Sequence, residues 1–222
     1  RSEKCFNLKA LGVEYVGPAP YSPDFIMPKG EIGEGLYPTE HVIYQQGLKV
    51  KPVEDAVVLS NTIVPYFNRT YEHFCSHRHT PSSGKEGYPA AVQNGNCIYF
   101  MHPHFSQYNQ RAPRWCKQLV LNALDMLLVQ PLVRHTGPSS TITAINHQNK
   151  NNRYVLHVLN YIPERRGEEF DVVEDVIPIY NINISLSVPK PVQKVSLVPT
   201  NMKVPFREKD GRITFTIPKL NG

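Results

Sequence analysis

The chain has 222 residues, 41% of them hydrophobic, and 24 basic against 19 acidic residues give a formal net charge of +5. This length and apolar content suit one large domain or two small ones. The charges are interspersed rather than gathered into a basic stripe, which argues against nucleic-acid binding. No apolar run of about 18 residues predicts a membrane span. The chain does not begin with Met, which favours a piece of a longer protein.

Residues 84–110 carry the most distinctive pattern. Residues 88–92 and 97–101 are short apolar runs separated by Gln-Asn-Gly-Asn. Asn-Gly between two such runs indicates a β-hairpin, because both residues tolerate positive φ. His102-Pro103-His104 is expected to end the second strand and open a loop. Most of the clustered histidine, arginine and aromatic residues lie here or just upstream.

Residues 61–83 follow neither a period of 2 nor one of 3.6 and are crowded with aromatic and histidine residues. This predicts a long ordered loop, and such loops are uncommon unless they carry contacts or function. Residues 36–60 contain short β-rich runs and are predicted to form a small antiparallel sheet.

Residues 110–130 are predicted to form a helix, with Pro113 in its first turn. Two neighbouring apolar stripes give it a broad face that must pack on a sheet, with Asn122 on the wet side. The stripes consist of Trp115, Leu119, Ala123 and Leu127, and of Cys116, Val120, Leu124 and Leu128. Gly137-Pro138 is the predicted domain boundary, and short β-rich runs after it predict a small β-sandwich.

The histidines allow two interpretations. His77 with His79, and His102 with His104, are His-x-His pairs, which could hold one metal ion if they lay on strands. Both pairs lie beside proline and loop residues, which favours a polar contact surface instead. The four cysteines lack the C-x-x-C spacing of zinc or redox motifs. No nucleophile or carboxylate pair has a supporting context, so no catalytic residue, metal or cofactor is predicted.

Five stretches together resemble the C-terminal part of a group of bacterial glycoside hydrolases. The group includes family 42-like β-galactosidases and some α-L-fucosidases. The stretches are YVGP (15–18), YSPDF (21–25), FCSHRHTP (74–81), NCIYFMHP (96–103) and VLHVLNYIP (155–163). In that group a (β/α)8 barrel is followed by a trimerisation domain of class I amidotransferase-like fold, without its catalytic triad, and then by a small β-sandwich. A barrel takes about 250 residues by itself and is missing from this sequence.

The resemblance implies a partial amidotransferase- or flavodoxin-like α/β (or α+β) domain in residues 1–137 and an immunoglobulin-like β-sandwich in 138–222. It implies a non-catalytic accessory and oligomerisation region, with catalysis in the parent's N-terminal barrel. The expected partners are that barrel, further copies of the chain, or a glycan, in the cytoplasm or the periplasm. The alternative is a carbohydrate-binding module that contacts glycans through Tyr and His.

The predicted contact surface combines aromatic, arginine and histidine residues, the types enriched where interfaces are well buried. The alternative is that these side chains only close the loop on its own domain. The predicted interface or cleft-lining residues are Phe67, Arg69, Phe74, His77, Arg78, His79, His102, His104, Phe105 and Tyr108.

Overall fold

The computed structural model describes Phe6 and residues 8–221, and the chain is mostly β, with 44% strand and 15% helix. It divides into two compact units, Arg1–Val129 and Gln130–Gly222. The boundary predicted at Gly137-Pro138 falls inside the second unit. Within the described residues, neither α-helix has the length and apolar character that a membrane span needs.

The first unit is built on antiparallel strands. In chain order they are β1 (Val13–Pro18), β2 (Asp24–Ile26), β3 (His41–Ile43), β4 (Leu48–Pro52), β5 (Val57–Pro65), β6 (Ser82–Asn94) and β7 (Cys97–Phe100). One sheet has the order β3-β2-β5-β6-β7, and β1 pairs with β4 in another. Short 3-10 helices span Lys9–Leu11 and Gly30–Gly33.

The predicted hairpin of residues 88–101 is confirmed, because β6 pairs with β7 around the turn at Gly95, whose φ is 54°. The small sheet predicted for residues 36–60 is wrong. Its strands separate: β3 pairs with β2, and β4 pairs with β1. Each of these two strands therefore pairs with a strand that precedes residue 36. A local sequence pattern cannot reveal such a distant pairing.

Two consecutive helices follow the hairpin, α1 (His104–Arg111) and α2 (Arg114–Leu127). Pro113 lies at the N-cap of α2 rather than inside its first turn. Cys116, Leu119 and Ala123 are buried, and the last two pack with Ile26 of β2 and with β3. Leu124 and Leu128 are more than half exposed, so the broad apolar face predicted for this helix is wrong.

Asn122 occupies the buried side of α2 that the sequence pattern assigned to solvent. Only 6% of the residue is exposed. Its Nδ2 donates to the carbonyl oxygens of Ile32 at 2.9 Å and Glu34 at 2.8 Å. The amide thus fixes the Gly30–Gly33 helix against α2, a role that hydrophobic periodicity does not detect.

The segment that forms helix α1 was predicted to be a loop. Its buried residues explain why the sequence pattern did not indicate a helix. They are the polar His104 and Gln107, so the segment has no apolar stripe. The Gln107 side chain accepts a hydrogen bond from Tyr44 N at 2.8 Å and donates one to Val42 O at 3.0 Å. It supplies part of the hydrogen bonding that β3 lacks at the edge of its sheet.

The second unit consists of strands and one short 3-10 helix, Asn149–Asn151, in the part that the structure describes. Its strands are β8 (Val133–His135), β9 (Thr141–Gln148), β10 (Arg153–Asn160), β11 (Glu164–Arg165), β12 (Asp171–Val172), β13 (Ile179–Ser187), β14 (Val195–Leu197), β15 (Met202–Val204), β16 (Phe206–Lys209) and β17 (Arg212–Leu220).

The largest sheet of this unit has the order β16-β17-β13-β8, and all its pairs are antiparallel. Alternate residues such as Ile184 and Phe215 point into a core. Leu156 and Val158 of the β9–β10 hairpin pack against the same core. The sheet therefore has one apolar face and one polar face, as the two-residue period of a strand requires.

The predicted fold class is wrong. An amidotransferase- or flavodoxin-like domain alternates strands with helices around a parallel sheet. In the described residues the strand pairs are antiparallel, and the two α-helices follow each other directly. The family resemblance implied the α/β class, but the helix at residues 114–127 packs on an antiparallel sheet. The predicted α/β domain with an immunoglobulin-like sandwich is replaced by a mostly β chain.

We expect Asn122→Ala to lower the free energy of unfolding by about 2–3 kcal/mol, because the carbonyl groups of the buried Ile32 and of Glu34 lose their donor. Leu124→Ala, two residues along α2 and already 53% exposed, should cost less than about 1 kcal/mol. Guanidinium unfolding followed by fluorescence of Trp115, the single tryptophan, measures both. The reverse order of costs would contradict the burial described here.

Candidate functional site

Residues 66–81, the 66–81 loop, join β5 to β6 and are closed by internal hydrogen bonds. At the base, Tyr66 N donates to Pro81 O at 3.2 Å. Arg69 Nη1 donates to His77 O at 3.1 Å and to Arg78 O at 3.3 Å. The loop is therefore ordered by its own side chains, as the sequence predicted.

Asn68 ties the loop to the segment before β2. Its Nδ2 donates to Pro20 O at 2.6 Å, and its Oδ1 accepts from Ser22 N at 3.2 Å. His79, at the other end of the loop, packs edge-on against Phe25 with ring centroids 5.8 Å apart. Both ends of the loop are thus anchored near β2, which limits how far the loop can move.

Tyr44, just after β3, is where the loop and α1 meet. The Arg78 guanidinium carbon of the loop lies 5.3 Å from the Tyr44 ring centroid, and that of Arg111 in α1 lies 4.9 Å away. The Tyr44 hydroxyl is 3.3 Å from His79 Nδ1. Cations within about 6 Å of a ring face are attracted to it. The sequence analysis missed Tyr44 and Arg111, because nothing in their spacing links them to the loop.

The surface formed by the loop and α1 is rich in exposed aromatic side chains. Tyr71 is 90% exposed, Phe74 70% and Phe105 75%. Tyr66 and Tyr108 are also exposed. Single exposed aromatic residues are ordinary, but several on one anchored loop and the adjoining helix are unusual. We call this set the aromatic surface.

Directly under the hairpin lies a buried carboxylate. Asp24 is 1% exposed; its Oδ1 is 2.9 Å from His102 Nε2, and it accepts a hydrogen bond from the Tyr88 hydroxyl. Burial, reinforced by the Asp24 charge, raises the pKa of Tyr88. A Cβ on Gly47 would lie 2.5 Å from the His102 ring, so only glycine fits there. The carboxylate is closed off from solvent by its partners.

His104 is buried beside this group and is held by ring contacts. It is 3% exposed and packs edge-on against Phe100 and Trp115, with centroids at 5.0 Å and 5.6 Å. Its Nδ1 lies 3.8 Å from Cys116 Sγ. Burial, with a smaller contribution from His102, lowers the pKa of His104 to about 3. Burial raises the pKa of the Cys116 thiol to about 12, so this thiol is not a nucleophile.

The structure separates the ten predicted contact residues into two groups. Eight of them, in the 66–81 loop and α1, reach the surface: Phe67, Arg69, Phe74, His77, Arg78, His79, Phe105 and Tyr108. Phe67 and His79 are half-buried, and the Phe67 ring centroid lies 6.0 Å from that of His73. His102 and His104 are interior residues instead. Their His-Pro-His sequence suggested a loop, but α1 begins at His104 and both rings turn inward.

The two rings of the His102–His104 pair do not face a common point. The His102 and His104 ring centroids are 6.2 Å apart, and one ring bonds Asp24 while the other contacts aromatic rings. Across the described residues, no group of three or more His, Cys, Asp or Glu side chains has the arrangement of a metal site.

Comparison with known proteins gives one informative match. No protein-family profile and no curated protein sequence matches the chain. A solved structure, α-L-fucosidase isoenzyme 2 from Paenibacillus thiaminolyticus, matches with a TM-score of 0.88 and 33% identity. The match covers 95% of this chain and 32% of that chain.

The chain is therefore a glycoside hydrolase-related region. It spans about a third of the α-L-fucosidase that it resembles, in sequence and in fold. The resemblance to glycoside hydrolases is confirmed at this coarser level. The trimerisation role stays a prediction, and the amidotransferase-like fold is wrong.

We expect acid to destabilise the first unit through His104. Its folded pKa lies below the usual 6.5, so between about pH 3 and 6.5 only the unfolded chain binds this proton. The free energy of unfolding should then fall as pH drops below 6.5, by up to about 1.4 kcal/mol per pH unit. Guanidinium unfolding at pH 4.5–7.5, followed by Trp115 fluorescence, measures the slope.

His104→Gln should flatten that slope even if it lowers stability at every pH. His147→Gln, in the second unit, is the matched control and should parallel the wild type. An unchanged slope in His104→Gln would show that another group dominates the acid response.

Proposed function

We propose that this chain is the non-catalytic accessory and assembly region of a bacterial glycoside hydrolase whose catalytic domain lies outside these 222 residues. The observation that carries the proposal is the match over 95% of this chain but only 32% of the α-L-fucosidase chain. A region that matches about a third of a longer enzyme chain over almost its own whole length suits an accessory role. The functional division at 1–137 and 138–222 stays a prediction.

The carboxylates of the described residues support the non-catalytic role. Glycoside hydrolysis needs two carboxyl groups about 5–10 Å apart across a sugar-binding cleft. Asp24 is buried and bonded to His102 and Tyr88, out of reach of a sugar. The groove of about 1040 Å³ in the second unit is lined by no Asp or Glu. A pocket of about 180 Å³ in the first unit has a single acidic lining residue, Glu86.

The aromatic surface supports the assembly role. Tyr, Phe and Arg contribute most where interfaces are well buried. The hydrogen bonds of Arg69 and Asn68 hold the loop in one shape before any partner binds. Preordering lowers the entropy cost of association. We propose that this surface contacts a neighbouring copy of the chain or the (β/α)8 barrel of the parent.

The homo-oligomer part of the proposal is tested on the chain itself. We expect light scattering at rising concentration to show assembly of the wild type, and the double substitution Phe74→Ala with Arg78→Ala to shift it toward monomer. Two buried anchors typically cost more than about 2 kcal/mol, or about thirtyfold in affinity. Trp115 fluorescence checks that the double variant is folded.

Tyr37→Ala is the matched control, because Tyr37 is an exposed aromatic residue of the same unit outside the loop and α1. Its assembly should equal that of the wild type. A monomeric wild type, or assembly that survives the double substitution, would refute contact between copies through this surface.

The non-catalytic part is tested by hydrolysis. We expect the purified chain to release no nitrophenol above the blank from 4-nitrophenyl α-L-fucoside or β-D-galactoside, because neither the groove nor the pocket described above is lined by a pair of carboxylates. Turnover that follows the protein through size-exclusion chromatography would contradict the proposal.

Glycan binding through Tyr and His remains the second hypothesis. In the second unit, Tyr154 stacks on His147 with ring centroids 4.4 Å apart, which covers one face of its ring. Tyr180 is 60% exposed, and the Lys219 amine lies 5.9 Å from its ring centroid. One exposed tyrosine is not a stacking platform, so this hypothesis has less support than the assembly role.

A further inference from the structure

An open groove of about 1040 Å³ lies on the polar face of the four-stranded sheet in the second unit. Strand alternation creates it: Ile184 and Phe215 point into the core, and their neighbours point the other way. The polar residues that line the groove are Arg134, His135, Thr136, Asn183, Ser185, Arg207, Thr214 and Thr216. All of them belong to strands β8, β13, β16 and β17 or to the turn after β8.

Strand register arranges the central groups in one row. Ser185 lies opposite Thr214, and Thr214 lies opposite Arg207. On the other side, Ser185 lies opposite Arg134. The row therefore crosses all four strands as arginine, serine, threonine, arginine. With strands about 4.8 Å apart, the two outer strands are about 14 Å from each other.

The existing hydrogen bonds leave the row rich in donors. Ser185 Oγ accepts from Arg212 Nε at 2.9 Å, so the Ser185 proton is free to be donated. Thr136 Oγ1 likewise accepts, from Asn183 N at 3.0 Å. Asn183 Oδ1 accepts from Thr216 at 2.7 Å, which leaves both protons on Asn183 Nδ2 available.

The charge of the groove has one sign. No Asp or Glu lines it. Within the described residues the Arg207 side chain has no hydrogen-bond or ion-pair partner, and the Arg212 guanidinium donates to the hydroxyl and carbonyl oxygens of Ser185. Unused donors and an unpaired guanidinium complement a ligand that has acceptors and negative charge.

We propose that this groove binds an acidic oligosaccharide, whose sugar rings carry carboxylate or sulfate groups. Ring hydroxyls would bond the serine, threonine and asparagine side chains, while Arg207 would hold the anionic group. Single-stranded nucleic acid is a poorer fit, because its sites stack bases on exposed aromatic rings. The two phenylalanines beside the groove, Phe206 and Phe215, pack against the core instead. This site lies on the second unit and does not depend on the assembly role proposed above.

The test is calorimetric titration of the full chain with four probes. Tetragalacturonic acid and a sulfated fucose tetrasaccharide represent the two sources of negative charge. Fully methyl-esterified tetragalacturonate is the matched uncharged ligand, and a single-stranded DNA 12-mer tests phosphate binding. We expect at least one acidic tetrasaccharide to bind. If the uronate binds, its methyl ester should bind at least tenfold more weakly. The DNA 12-mer should not bind at this site.

Arg207→Gln should weaken binding of the acidic sugar at least tenfold, because it removes a charge-assisted hydrogen bond. Thr214→Val, which keeps the shape of the side chain, should weaken it severalfold. Lys203→Gln removes an exposed charge of β15 that does not line the groove and should leave the affinity unchanged.

The proposal is overturned if neither acidic tetrasaccharide binds at millimolar concentration, or if Lys203→Gln and Arg207→Gln lose affinity equally. DNA binding that Arg207→Gln abolishes would also overturn it, in favour of a phosphate site. Because the assembly test uses Phe74 and Arg78 of the first unit, the two proposals can fail separately.

Discussion

The first unit depends on the burial of the Asp24 carboxylate. An ionisable carboxyl group removed from water is costly unless it is paired and hydrogen-bonded, and here the His102 ring and the Tyr88 hydroxyl provide both. These groups come from β2, from the middle of β6 and from the turn after β7. One interaction therefore holds together three segments that are far apart in the sequence. Gly47 lies against the same ring, where a side chain would displace it.

The position of the aromatic surface follows from this interior group. Phe25, the residue after Asp24, packs against His79 at the end of the 66–81 loop. His104, two residues after His102, begins α1, whose last residue, Arg111, contacts Tyr44 together with Arg78 of the loop. The loop and the helix are thus held on one side by buried polar contacts. A surface prepared in this way suits a partner better than a mobile loop would.

The two units offer different chemistry. The first exposes aromatic rings and arginines on an anchored loop, which is typical of protein contacts. The second exposes a row of hydroxyl, amide and guanidinium donors across a sheet, which is typical of sites for polar ligands. The chain is similar to about a third of an α-L-fucosidase chain. Each surface can be altered without touching the other.

The sequence by itself determined the elements whose signals are local. The hairpin around Gly95, helix α2, the ordered loop before β6 and the glycoside hydrolase relationship were all predicted. These signals are a turn dipeptide, an apolar period, the absence of any period and shared motifs. Only the tertiary structure decided the fold class, the strand partners of β3 and β4, helix α1, and the interior positions of His102, His104 and Asn122. The physical reason is that these depend on polar side chains satisfied by groups far along the chain: His102 and Asp24 are 78 residues apart, and Asn122 and Ile32 are 90 apart. The type of a polar residue does not show whether it is buried or exposed. Its burial depends on a hydrogen-bonding partner that is far away in the sequence.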